Sequence, residues 1–184
     1  MWFAIFFEKR YNNYKLIIEV KLMLIFATYK DLIEIDNLAN LVIDDMKLSN
    51  IPQWEKGYPS YSHFEKDINN HALYIYKVDN IILGSITILP ENETAYKTID
   101  SWVKDKSIVI HRMLVHPRAR NKGVAQKLLD MAIKVAKENN YDSIKIDTHL
   151  KNYKMRNFLE KNNFIEIGYL KTIDRVAYEK VLED

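Results

Sequence analysis

Leu32, Ile35, Ala39, Val42 and Met46 recur at intervals of three and four, which lays one apolar stripe along a helix. Thr28 and Asp31 ahead of it supply an N-cap and an acidic first turn, and LIFA (24–27) before them reads as a short strand. The stretch LSNIPQWEKGYPSYS, with two prolines and a glycine, is a loop, and a second short helix is predicted over 64–69. ALYIYKV and IILGSITIL are β-rich runs on either side of Asp79-Asn80, a two-residue turn that predicts a hairpin. A polar loop over 90–106 separates them from SIVIHRMLV, a strand stopped by Pro117. Helical spacing returns at Val124, Leu128, Met131, Ala132 and Val135. SIKIDTHL, NYKMRNFLEK, FIEIGYL and RVAYEKVL then read as strand, helix and a closing strand pair. This alternation predicts a mixed α/β sheet with helices on both faces.

With 184 residues, 48% of them hydrophobic, the chain can bury one substantial core. Met23 opens the first strand and helix, so residues 1–22 read as an N-terminal extension and 23–184 as a single domain. The extension is either loosely tied or an extra strand or partner-binding arm. Its apolar run MWFAIFF is too short to span a bilayer, and Glu8, Lys9 and Arg10 follow it at once. It has neither a basic segment before the run nor a cleavage site after it, so a cytoplasmic protein with no membrane partner is expected.

A formal charge of +2, with both signs interspersed, provides no global field for nucleic acid or anionic lipid. The absence of cysteine excludes disulfides, thiolate metal sites and a cysteine nucleophile. None of the five histidines falls into a metal-binding cluster by spacing, so no metal is expected.

Local charge is a different matter. HPRARNKGVAQKLL places Arg118, Arg120 and Lys122 around Gly123, directly before a helix. Unpaired N–H groups and the helix dipole make that position suited to a phosphate. Gly123 admits an unusual backbone angle or close approach, and Ala125 keeps side-chain bulk out of the anion's space. An ordinary solvated basic loop has the same composition, and the pattern is neither the dinucleotide fingerprint nor a P-loop. A nucleic-acid element is disfavoured, because the following helix carries Asp130 and Glu138 and leads into a strand.

In context, the run from IHRMLVHPRARNKGVAQKLL through SIKIDTHLKNYKMRNFLEKNNF resembles the core of the GNAT superfamily of acyl-CoA-dependent N-acyltransferases. The shared features are the strand ending before a proline, the [QR]-x-x-G-x-[GA] loop, the long helix, the next strand, and an asparagine ahead of FLEKNNF. The resemblance implies a GNAT-like α/β fold: a central mixed sheet of six to seven strands, splayed at the fourth and fifth, with about four helices on both faces. It implies acetyl-CoA as co-substrate, its pyrophosphate cradled by Arg120, Asn121, Lys122, Gly123, Val124 and Ala125. Met113, Leu114 and Val115 would pair with the pantetheine arm along the splayed strand, a neighbouring amide would polarise the thioester, and Asn152 would contact the arm.

The activity so implied is acetyl transfer to a primary amine of a small molecule or peptide, by direct attack in a ternary complex. Asp147 sits where some family members carry a catalytic carboxylate. A strand period of two would put it on one face with Lys145 and His149, with which it could instead simply pair. His111 on the neighbouring strand is the rival base, or else a satisfied strand histidine. Many relatives read FYEK in the last helix, the tyrosine protonating the thiolate; here Leu159 stands in its place, which leaves water, Tyr153 or Tyr178 as the proton source. The same departure makes a non-catalytic acyl-CoA-binding or sensing module the alternative. For the acceptor, Trp54 and Tyr58 form an aromatic wall or pack on the core, Glu55 would orient a cationic amine, and loop 91–106 with Tyr96 and Trp102 would close the same mouth. A homodimer through the final strands is compatible with the sequence, though no residue demands it.

Overall fold

The computed structural model describes residues 2–11, 14–91 and 94–183. Eight strands form one sheet: β1 (Trp2–Tyr11), β2 (Tyr14–Phe26), β3 (Leu73–Val78), β4 (Ile81–Pro90), β5 (Ser107–Val115), β6 (Ser143–Thr148), β7 (Ile165–Leu170) and β8 (Arg175–Val181), in the order β1-β2-β3-β4-β5-β6-β8-β7. All neighbours are antiparallel except β5 and β6. Four α-helices, α1 (Leu32–Leu48), α2 (Tyr61–Asn69), α3 (Val124–Glu138) and α4 (Tyr153–Lys161), complete the mixed α/β fold. The first predicted strand is longer than expected, because β2 continues N-terminally where only β1 pairs with it.

Local chemistry explains the joints. Asp79 and Asn80 both adopt positive φ, 49° and 67°, the geometry of the tight turn that joins β3 to β4. Asp31 accepts hydrogen bonds from the Thr28 amide and hydroxyl, both at 2.8 Å, and so closes the short turn that opens α1. Helix α2 begins three residues before its first buried apolar residue, Phe64, because its polar first turn carries no apolar spacing to announce it.

Two cores lie on opposite faces of the sheet. One holds Ile86, Ile108, Leu128, Ala132, Ile144 and Leu159 under α3 and α4. The other holds Leu32, Ile35, Phe64, Ile75 and Leu114 under α1 and α2. A third, smaller cluster lies under loop 91–106, where Tyr96 packs on Val109, Leu170 and Ala177.

The joint that matters is between β5 and β6, whose parallel pairing spans only Ser107–Val109 against Ser143–Lys145. On its other edge β5 bulges against β4: Ser85 pairs with Leu114 and Thr87 with His111, so one extra residue of β5 is looped into the ladder. Arg112 takes the strain with a φ of 47°. Beyond Val109 the two central strands diverge, which is the splay expected at the fourth and fifth strands of the domain core.

Candidate active site

Two clefts flank the splay. The first, of about 510 Å³, lies between α1, the N-terminus of α3 and α4. Met113, Val115, Arg120, Asn121, Gly123, Val124, Ala125 and Asn152 line it. Leu114 is fully buried on the α1 side of the sheet and, unlike Met113 and Val115, is not part of this cleft's lining. Lys122 is exposed and outside the lining, as is Arg118.

Gly123 is the N-cap of α3 at φ 79°. No side chain caps the helix, and its first i→i−4 bond runs from the Lys127 amide to the Gly123 carbonyl, so the amides of Val124, Ala125 and Gln126 have no helical partner. A Cβ on Gly123 would have no neighbour within 4 Å: the space in front of the helix is open. Arg120 is the loop's cation in the cleft, and it is already paired, Nη2 to Asp45 Oδ2 at 2.6 Å. That hydrogen bond holds the Asp45 carboxyl below the usual 3.8. Lys154 and Lys161 add two further cations to the lining.

Asn152 turns out to be heavily engaged within the protein. Its Oδ1 caps α4 at the Met155 amide (3.2 Å), and its Nδ2 donates to Gln53 Oε1 (2.7 Å). Gln53 also accepts from Thr148 Oγ1 and the His149 amide, and so ties the α1–α2 loop to the end of β6. No spacing in the sequence points to Gln53.

The second cleft, of about 430 Å³, opens on the α2 side and gathers Trp54, Tyr58, His111 and Asp147, residues from three separate parts of the chain. Asp147 Oδ2 accepts from the Tyr96 hydroxyl at 2.9 Å, and Oδ1 lies 3.8 Å from Arg175 Nε. The expected partners are engaged elsewhere. Lys145 is buried and bonded to Glu91 beneath the Trp102 ring. His149 lies beyond the end of β6, where the period of two lapses, with Nε2 at 3.3 Å from Asp174. Burial, with the Arg112 charge beside it, pulls the His111 imidazole from 6.5 down to about 4.

Arg112 and Asp67 form the floor of this cleft and were not foreseen. Arg112 Nε and Nη2 grip the two Asp67 oxygens at 2.8 and 2.6 Å, and Thr87 Oγ1 donates to the same carboxylate. The only sequence signal was a lone arginine inside an apolar strand. Tyr58 meets the Arg112 guanidinium at 3.4 Å and stands edge-on to His63. Two other expectations are corrected. Glu55 is exposed and outside the cleft's lining, and Tyr96 and Trp102 of loop 91–106 pack on the sheet; no described residue of that loop lines the cleft, and the Tyr96 hydroxyl meets Asp147.

Leu159 points into the core, 1% exposed. Tyr153 is 63% exposed, and Tyr178 is buried with its hydroxyl held by Arg156 and Glu166. Neither tyrosine lines either cleft.

A sequence profile described as the acetyltransferase (GNAT) family matches residues 38–164. No curated protein matches the sequence significantly. Among solved structures, an acetyltransferase of the GNAT family from Streptococcus agalactiae superposes with a TM-score of 0.79 at 23% identity, over 89% of this chain and 96% of the other. A putative acetyltransferase from Staphylococcus aureus is 27% identical with a TM-score of 0.69, over 88% and 99%. The PaiA N-acetyltransferase of Thermoplasma acidophilum, solved in complex with coenzyme A, is 15% identical with the same TM-score, over 88% and 99%. The matched segment contains both central strands, the bulge and the glycine-capped helix that shape the two clefts, and the chain belongs to the acetyltransferase (GNAT) family.

Proposed function

We propose that the protein moves an acetyl group from acetyl-CoA to a primary amine of a small molecule or peptide, by direct attack in a ternary complex. One observation carries this reading: consecutive residues of β5 line both clefts, His111 and Arg112 the α2 side and Met113 the other, so a donor and an acceptor would meet across a single strand.

The donor cleft fits an acyl-coenzyme. The open space before Gly123 and the unpartnered amides of Val124, Ala125 and Gln126 suit a pyrophosphate, and the same lining holds Lys154, Lys161 and the Asp45-paired Arg120. When bound, acetyl-CoA supplies a thioester whose carbonyl carbon takes the amine nitrogen while its C–S bond breaks. Asp147, set by Tyr96 and Arg175, receives the proton that the attacking nitrogen sheds, directly or through a water; neutral His111 is the second acceptor beside it. No hydroxyl side chain lines the donor cleft among the described residues. A thiol with a pKa of roughly 8.5 leaves readily as thiolate, so solvent suffices to return its proton. The same lack of a hydroxyl favours a second reading, an acyl-CoA-binding module without turnover.

Thiol release with an amine panel, together with calorimetry of acetyl-CoA binding, tests the proposal. Wild-type protein turns over. Gly123→Ala, strained by about 1–2 kcal/mol at its left-handed φ and crowding the anion's space, binds acetyl-CoA at least about tenfold more weakly. Asp147→Asn keeps that affinity and loses rate by about 10²-fold or more. Full affinity in Gly123→Ala would remove the cradle assignment. Binding without turnover on any amine would leave only the second reading.

A further inference from the structure

Helix α2 and its C-cap present His63, Lys66, Asp67 and Asn70 at intervals of three and four, and all four line the acceptor cleft. The charges there do not suit a simple amine cation. Three cations, Lys66, Arg112 and Arg175, face two carboxylates, Asp67 and Asp147. Asp67, 1% exposed, is gripped by both arms of Arg112 and by Thr87. Asp147 already faces Arg175, whose Nη1 donates to the Ile173 and Asp174 carbonyls and whose Nη2 donates to that of Gln53. Lys66 is exposed at the mouth and has no ion pair among the described residues. Beside it, Asn70 offers an amide N–H, and Ser60 and the Tyr58 ring fix the His63 imidazole.

The mouth of the cleft therefore gathers two side chains able to donate, His63 and Asn70, beside a lysine with no ion pair among the described residues, while the carboxylate of Asp147 lies on β6. We infer that the acceptor is a small amine that also carries an anionic group, a carboxylate or a phosphate, seated against Lys66, His63 and Asn70 with its nitrogen toward Asp147. Trp54, Leu89 and Ile173, in the same lining, offer apolar surface to the body of such a molecule. A polyamine would bring a second positive charge to a mouth that already holds one, and like-charge juxtaposition rejects it.

This inference rests on the acyl-transfer reading of the same cleft. Its test compares kcat/KM for L-phenylalanine, phenylalanine amide, phenethylamine, O-phosphoethanolamine and a linear diamine, in the wild-type chain and in Lys66→Met and Lys66→Glu. An anionic amine leads its uncharged counterpart by at least about tenfold, with the diamine last. Whichever of the carboxylate and phosphate acceptors leads names the anion. Lys66→Met brings phenylalanine and phenethylamine to within about threefold of each other, mainly by raising KM for the acid, and Lys66→Glu reverses their order. Turnover led by phenethylamine or the diamine, or a preference untouched by both variants, overturns this inference and spares the transferase. Acetyl-CoA binding with no release on any amine overturns both.

Discussion

His111 illustrates how a residue's chemistry is set by what folds around it. In the unfolded chain its imidazole titrates near 6.5; in the native cleft, burial and the adjacent Arg112 bring it to about 4. Between those values the unfolded chain binds a proton that the native state refuses, so stability rises with pH there. The contribution is complete above about 6.5 and declines as pH falls toward 4, by at most about 3 kcal/mol. Asp45, held below 3.8 by Arg120, loses its own contribution only at more acidic pH. Urea midpoints measured from pH 7 to 4 are expected to fall in the wild type and to fall less steeply in His111→Gln; parallel curves would contradict the assignment. The sequence could nominate His111, Asp147, Trp54, Tyr58 and Gly123, because each residue type suits a stated chemical task. It could not nominate Asp67 or Arg112, whose meaning lies in a bidentate contact between α2 and β5, 45 positions apart in sequence.

Among the elements, α3 is the one whose placement decides the cleft in front of Gly123, and a glycine on a different element sets it. At Gly84 a Cβ would lie 2.8 Å from the Leu114 carbonyl oxygen and 2.9 Å from Val124 Cγ1. The bare backbone of β4 thus lets the first turn of α3 approach the bulged end of β5. Gly84→Ala sets a Cβ against a main-chain carbonyl of β5, which cannot swing aside as a side chain can, and against the Val124 and Leu128 side chains of α3, which must shift. An expected cost of about 1–3 kcal/mol lowers Tm by roughly 2–12 °C in a domain of this size. Because α3 carries the unpartnered amides, acetyl-CoA affinity is expected to drop as well; thermal melts with and without acetyl-CoA check both, and unchanged melting would show that the helix is not wedged. Periodicity made α1, α3, the β3–β4 hairpin and the closing strands legible, since one apolar face per element is a local signal. It left α2 short at its polar start. Loop 91–106 looked like a lid, yet the burial of Tyr96 shows that its aromatics complete a core.

At the scale of the molecule, the sheet divides into a ribbon and a body. Strand β1 pairs only with β2, and β2 meets β3 only through Leu22–Phe26. The described residues before Met23 therefore supply almost none of the pairing that holds the sheet to β3. A chain starting at Met23 is expected to remain soluble, to melt cooperatively and to bind acetyl-CoA within about threefold of full length. Aggregation of that chain would make the extension part of the fold. What the sequence by itself determined is what is local or patterned: the order of elements, the glycine before α3, the resemblance of strand, loop and helix to one family, and the leucine where a tyrosine was expected. What only the tertiary structure decided is what depends on distance between remote residues. It set two clefts on either side of β5, gave Lys145 and His149 partners other than Asp147, and left Tyr153 and Tyr178 outside the lining of both clefts. It also paired Arg112 with Asp67 and left Lys66, in the same cleft, without an ion pair among the described residues. Hydrophobic period is written in neighbouring positions, whereas the balance of charge in a cleft depends on side chains that meet only once the chain has folded.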